Sequence, residues 1–329
     1  MWLRTSRFAD VEAMATATLA LGPDADALYQ RGWARSATGR PQLALEDYKQ
    51  ALNIYQQTGH PNNEAATLSS IGRVYHVMGD RRRALDHYHE ALPTMREVGN
   101  RAGEATILNN IGHVHDSLGD WRRALDYFHQ ALSIRREVGD RAGEAVAFTG
   151  IGMVYDSLGD WRRALNCFHQ ALPIRREVGD RVGEATTLSS IGNAHHSLGD
   201  WRRALDCFHQ ALPIQREVGD RVGEATTLNN IGNAHHSLGD QRRALDYFHQ
   251  ALPIQREVGN RVGEAVTLYN IAMVHWANGH LDQAIHELEQ VVDFDRQVDH
   301  PDLEDDTAVL EQLRRQRAEE HGSVPFAGP

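Results

Sequence analysis

Apolar side chains recur along most of this chain at helical spacing, and the pattern returns every 40 residues. In Arg181–Asp220, Leu188, Ile191 and Leu198 mark one stripe, with His195 filling the same face. A second stripe runs through Trp201, Ala204, Leu205, Phe208, Ala211, Leu212 and Val218. Intervals of three and four place such residues on one side of an α-helix. The unit therefore predicts a helix A and a helix B, with Gly199 as a C-cap and Asp200 as an N-cap. Gly219 and Asp220 repeat the stop-and-start punctuation before the next unit. No strand pattern competes with this reading.

Seven such units fit between residues 21 and 300 without an insertion or deletion, and the copies are close. Between Arg181–Asp220 and Arg221–Asn260 the sequence changes only at 189, 190, 201, 207 and 220. Stacked repeats bury a core that no single unit can bury alone. Pro93, Pro173, Pro213 and Pro253 fall inside helix B, where a proline removes a backbone donor, so a kink is expected there. Residues 1–20 read as a capping helix or half repeat, a helix B without its helix A. Either it caps the array or the chain begins inside a longer one. Residues 301–320 read as a charged capping helix that covers the last unit through Leu303, Val309, Leu310 and Leu313, and 321–329 as a flexible tail.

The recurring set Leu188, Ile191, Gly192, Ala204, Phe208 and Ala211, repeated as Leu108, Ile111, Gly112, Ala124, Phe128 and Ala131, resembles the tetratricopeptide repeat over about residues 6 to 320. Small residues stand where two helices must approach closely, and large ones fill the gap between them. The 40-residue period exceeds the usual 34 and is similar to the long-helix subclass of kinesin light chains, Pins-type adaptors and bacterial STAND- and SARP-type regulators. The resemblance implies an all-α fold: an α-solenoid of tandem helix-turn-helix units forming a right-handed superhelix, one continuous elongated domain. Arg31 in the Ile191 column, Ala272 at the helix A glycine and Ile285 beside Ala284 depart from the pattern in the end units.

Composition narrows the function classes. The chain has 34 basic and 45 acidic residues, for a formal net charge of -11. That balance argues against a nucleic-acid binder. No apolar run approaches the roughly 18 residues of a membrane span, and no signal peptide is evident, so the cytoplasm is the expected compartment. Charge nearly cancels within a unit, and the excess acid gathers between Asp293 and Glu320, which reads as a cap effect. Pairs such as Arg202 with Asp206, one helical turn apart, are worth tenths of a kcal/mol each.

Catalytic and cofactor motifs are missing: no phosphate-binding loop, dinucleotide glycine fingerprint, HExxH or GxSxG. Neither an enzyme nor a cofactor is expected. His115, His195, His235 and His275 take the place of Tyr75 and Tyr155 and read as half-buried rings. His89, His129, His169, His209 and His249 form a second column, spaced too widely on stacked helices to share a metal. Protonating many imidazoles would erase the negative charge, so a pH response is a possible property. Cys167 and Cys207 share a column with Asp47, His87, Tyr127, Tyr247 and Glu287. So mixed a column is expected to be exposed, with its thiols too far apart for a disulfide. Trp121, Trp161 and Trp201 open helix B in three units, either covering the joints or forming a partner-binding strip.

The resemblance further implies that helix A builds the inner face and that residues around the Leu-x-x-Ile-Gly stretch look into a groove. Carried over, that groove comprises Asn109, Asn110, His113, Asn193, His196, Asn229, Asn230, Asn233, His236, Tyr269 and Asn270, flanked by Ser69, Ser70, Arg73, Thr149, Met153, Ser189, Ser190, Met273 and Trp276. An asparagine amide offers a donor and an acceptor to a peptide backbone. Leu108-Asn109-Asn110 and Leu228-Asn229-Asn230 match the Leu-Asn-Asn signature of kinesin light chains and Pins-type adaptors. The lysine and arginine set that clamps a C-terminal carboxylate in chaperone-type domains is represented by Arg73 alone. The expected role is a non-catalytic scaffold for a protein or peptide partner, with a homo-oligomer possible and no nucleic acid or membrane. The alternative is the sensor or oligomerisation arm of a bacterial signalling or transcriptional regulator.

Overall fold

The computed structural model of the chain describes residues 2–322, and within them every element is a helix. Its contacts gather into two compact units, Met1–Asp180 and Arg181–Pro329. Unit 1 holds α1 (Trp2–Leu19), α2 (Ala25–Ala37), α3 (Pro41–Thr58), α4 (Pro61–Val77), α5 (Arg81–Glu97), α6 (Arg101–Ser117), α7 (Trp121–Glu137), α8 (Arg141–Ser157) and α9 (Trp161–Glu177). Unit 2 holds α10 (Arg181–Ser197), α11 (Trp201–Val218), α12 (Arg221–Ser237), α13 (Gln241–Glu257), α14 (Arg261–Ala277), α15 (Leu281–Val298) and α16 (Leu303–Gly322). The last helix runs two residues past the expected boundary at 320, and residues 323–329 of the expected tail lie outside the described residues.

Local chemistry sets the boundaries. Asp80, Asn100, Asp140, Asp220 and Asn260 each accept a hydrogen bond from the backbone N–H three residues on, at 2.8–3.0 Å, satisfying an orphan donor of the first turn. Gly199 and Gly219 close the preceding helices at φ 79° and 69°, a left-handed conformation that glycine adopts without steric cost. The helices run unbroken through Pro93, Pro173, Pro213 and Pro253. Each proline lies on the exposed side, and the residue four before it, His89, His169, His209 or His249, is exposed as well. The carbonyl deprived of its donor thus has water within reach, which explains why the sequence tolerates the ring.

Six of the seven A–B pairs close on one aromatic ring. Tyr48, Tyr88, Phe128, Phe168, Phe208 and Phe248 are fully buried, and a Cβ at Gly112 would come within 2.9 Å of the Phe128 ring. The same approach joins Gly152 to Phe168, Gly192 to Phe208 and Gly232 to Phe248. The departure at Ala272 is compensated within its own pair, because its partner position carries Leu288 in place of an aromatic and both are completely buried. Volume moves from one helix to the other, and the packing is kept.

Between units of the repeat, ion pairs tie the joints. Glu104, almost fully buried, accepts from Arg96 at 2.8 Å and from Arg101, while Arg101 also reaches Glu137 at 2.7 Å. Glu224 repeats the arrangement with Arg216 at 2.8 Å and with Arg221, which reaches Glu257 at 2.6 Å. These are networks around a buried carboxylate and differ in kind from the isolated helix-surface pairs the sequence suggests.

Two readings of the columns need correction. The mixed column expected at the surface is half-buried, with Asp47 at 1% exposure. Its rings stack on the helix A column: Tyr75 on His87, His115 on Tyr127 and His235 on Tyr247, at 5.4–5.5 Å and within 8° of parallel. Cys167 and Cys207 occupy the same shelf, and burial pushes the Cys167 thiol up to about 11 and raises that of Cys207. They are packing residues with little thiolate at neutral pH. Arg31 is likewise no isolated defect. It donates to Asp47 at 2.7 Å, Arg35 donates to the other oxygen of Asp47 at 2.9 Å, and Arg35 also reaches Glu12 of α1 at 3.0 Å.

A candidate partner-binding face on the A helices

Helix A is the element that touches its own kind. Within unit 1, α2 meets α4, α4 meets α6 and α6 meets α8; within unit 2, α10 meets α12 and α12 meets α14. This close approach requires small or pairable side chains along the shared face, and the Ser and Asn columns supply them.

In unit 2 the predicted residues form a ladder of side-chain hydrogen bonds across successive A helices. Asn230 donates to Asn193 at 2.9 Å, Asn270 donates to Asn229 at 3.2 Å, and Ser237 and His196 lie 3.4 Å apart. His236 sits 2.6 Å from Gln241 at the start of helix B. Asn193 is exposed, Asn230, Asn233, His236 and Asn270 are half-buried, and Asn229 is buried. Amides tied to each other leave some lone pairs and N–H groups available, so the exposed edge of this ladder can still meet a backbone.

In unit 1 the predicted residues part company. Asn109 is buried with its Oδ1 unpartnered, and His113 turns its ring edge against Phe128 at 4.9 Å. Burial, with a smaller contribution from His76, brings His113 down to about 4. Asn110 instead lines an open cleft of about 470 Å³ together with Ser69, Ser70, Arg73, Tyr29 and Trp33. Tyr29 bonds Ser70 at 3.0 Å, and Trp33 is held edge-on by Phe8 of α1 at 4.9 Å. Tyr29 and Trp33 lie outside the groove expected from the sequence, although the sequence carries their signal. They stand in the columns of Asn109 and His113, in a first unit set aside as atypical.

At the other end α16 lies against the last A helix. Tyr269, Met273 and Trp276 pack with Leu310 and Leu313, and the Trp276 indole donates to Gln316 at 3.1 Å. These three positions are partly occupied by the chain itself.

Burial holds His76, His113, His115, His196, His235 and His275 below the ordinary histidine range. They resist protonation in the folded state. Among the described residues no three His, Cys, Asp or Glu side chains converge as a metal site would require, and no helix is long and apolar enough to cross a membrane.

A stack of paired helices joined by ring-on-glycine contacts, with a polar face on the A helices, defines a helical-repeat protein. The tetratricopeptide-repeat profile matches residues 63–137, 105–177, 183–257 and 244–297, and a second profile of the same description matches 25–58. The chain belongs to the tetratricopeptide-repeat family, whose repeat is a protein-interaction scaffold. Among solved structures it is similar to a signal transduction ATPase with numerous domains carrying a tetratricopeptide-repeat sensor from Pyrococcus horikoshii, with 14% identity, 89% of this chain and 45% of that one covered, and a TM-score of 0.72. BtubC (BKLC) from P. vanneervenii is similar at 20% identity, over 69% of this chain and 92% of that one, with a TM-score of 0.58. A Rap protein complexed with competence and sporulation factor is similar at 14% identity over 96% and 98% of the two chains, with a TM-score of 0.59. At these identities the likeness is one of fold. A search of the curated proteins finds no match.

Proposed function

We propose that this protein is a non-catalytic scaffold that holds an extended peptide or a partner's helix on the polar face of its A helices. The observation that carries the reading is the unit 1 cleft, where the rings of Tyr29 and Trp33, the hydroxyls of serine and threonine side chains, the amides of Asn100 and Asn110 and the exposed cation Arg73 converge around about 470 Å³. Rings supply contact area at small entropic cost, and an amide with hydroxyls can follow a peptide backbone. The ladder around Asn193, Asn230 and Asn270 gives unit 2 a polar face of its own.

Selection of a displayed peptide library on the full chain, followed by titration of an enriched peptide, tests this. Trp33→Ala combined with Asn110→Ala should weaken binding by about tenfold or more, the usual cost of an aromatic anchor. A library that yields no binder, or a binder indifferent to both changes, would overturn the assignment.

A second reading, the sensor arm of a signalling regulator, draws on fold likeness to the P. horikoshii protein with its tetratricopeptide-repeat sensor and to the Rap protein complexed with a factor. It uses the same cleft and differs in what the bound partner controls.

A further inference from the structure

One column changes sign at the last joint. Near the end of helix B, Arg135 donates to the N-cap Asp140 of the next A helix at 2.5 Å, and Arg175 likewise reaches Asp180. Gln215 and Gln255 hold this position in later repeats, and it is Asp295 in α15. The residue against it changes too. Gly143 and Gly263 lie directly on Arg135 and Gln255, whereas the corresponding residue of α16 is Leu303. The turn before α16 contains Asp299 at φ 51°, where every earlier repeat has glycine.

The result is a cavity of about 400 Å³ bounded by α14, α15 and the start of α16. Val262, Val266 and Phe294 form an apolar wall, and Asp295, Asp302 and Asp306 an acidic one. The acids at the start of α16 have a reason of their own, since carboxylates favour a helix N-terminus. Asp295 has none. It lies in the last turn of α15, the end where a helix disfavours negative charge, is 2% exposed, and its Oδ2 has no hydrogen-bond partner. The imidazole of His300 lies beside it, with Nδ1 3.8 Å from the other oxygen. Asp306 shows the cost of this crowding: burial first, then a hydrogen bond to Asp295 and the charges of Asp295, Asp302 and Asp305, raise it to about 6. A buried carboxylate without a counter-ion is destabilising by itself, and a bound positive charge removes that cost. Apolar residues lining the same cavity suit a cation that carries an organic stem.

The geometry points to a binding site for an organic monocation with an apolar stem, an alkylguanidinium or alkylammonium group, whose charged end meets Asp295 while its stem lies on Val262, Val266 and Phe294. A small free amine and an arginine or lysine side chain of a partner share this chemistry. The site goes beyond the scaffold reading and stands if that reading fails.

Calorimetric titration of the full chain at pH 7.5 with n-butylguanidinium, guanidinium and acetyl-Gly-Arg-Gly-amide tests it. Butylguanidinium should bind once per chain and about fivefold or more tighter than guanidinium, from methylenes buried on the apolar wall. Asp295→Asn should weaken it by about tenfold or more. The peptide binding as well marks a side-chain source, and butylguanidinium alone a free cation. Lack of saturable binding, equal affinity for the two guanidines, or binding unchanged in Asp295→Asn would each overturn the proposal. If that variant fails to fold by circular dichroism, Val266→Trp serves in its place. It fills the cavity from a half-exposed position and must abolish binding, and retention would be equally decisive against the site.

Discussion

The first and third A–B pairs of unit 1 meet the same packing demand with opposite chemistry. Between α6 and α7, His115 stacks flat on Tyr127 beside the apolar Ile111. Between α2 and α3, the equivalent positions are Arg35, Asp47 and Arg31, an ion cluster around a carboxylate at 1% exposure. The stack needs only flat faces and tolerates exchange, which is why Tyr and His both occur in these columns. The cluster is directional, and through Glu12, which also binds Arg40, it fastens α1 to the array. An inner pair is built to be copied, and the first pair to accept a different neighbour.

The comparison breaks most sharply at Asp47. Asp47→Ala leaves two guanidiniums partly buried without their carboxylate and should cost about 3–5 kcal/mol in urea unfolding. A loss below about 1 kcal/mol would make the cluster no better than a surface pair. Converting the whole set to that of the next pair, by Arg31→Ile, Arg35→Tyr and Asp47→His, should be neutral or stabilising by up to about 4 kcal/mol, as for other buried ion clusters replaced by well-packed groups. Marked destabilisation would instead show that α1 depends on the charges.

The ring side of the comparison is sharpened by pH. His113, held down to about 4 by burial, stays neutral in the folded state while the unfolded chain takes up a proton below about 6.5. The unfolded state then binds more protons, so the stability from neutral His113 is complete above about pH 6.5 and is lost as pH falls towards 4. His113→Gln should flatten the stability–pH curve across that window by about 2 kcal/mol, measured by chemical denaturation at several pH values. The smallest change is Cys207→Tyr, which gives His195 the partner that His235 has in Tyr247. It should add about 0.5–1 kcal/mol, read as a raised melting temperature.

Much of the fold was legible because it is periodic. Helix ends, caps and the glycine-to-aromatic contact follow from one 40-residue pattern, and Leu310 and Leu313 of α16 share a core cluster with residues of α14 and α15. What escaped was pairing between columns. A single column reading Asp, His, Tyr, Cys, Cys, Tyr and Glu looks like tolerated surface variation, and it makes sense as a shelf only once the facing column is known. The candidate face was read from its column positions, and these could not tell buried Asn109 from open Asn110, one residue and about 100° of helical turn away. The cleft residues Tyr29 and Trp33 were hidden by the choice to discount the first unit.

The near-identity of neighbouring repeats bears on how the chain reaches its native state. In Arg181–Asp220 and Arg221–Asn260 the residues that join A to B are the same except at one position, Cys207 in the first and Tyr247 in the second, so during refolding α10 meets in α13 nearly the surface it meets in α11. Selection between right and wrong partners then rests on loop length, because closing the longer loop costs somewhat more entropy. At high protein concentration the same surface is offered by a second molecule. Refolding should therefore slow and yield exchanged pairs as concentration rises, the characteristic hazard of arrays whose parts are interchangeable.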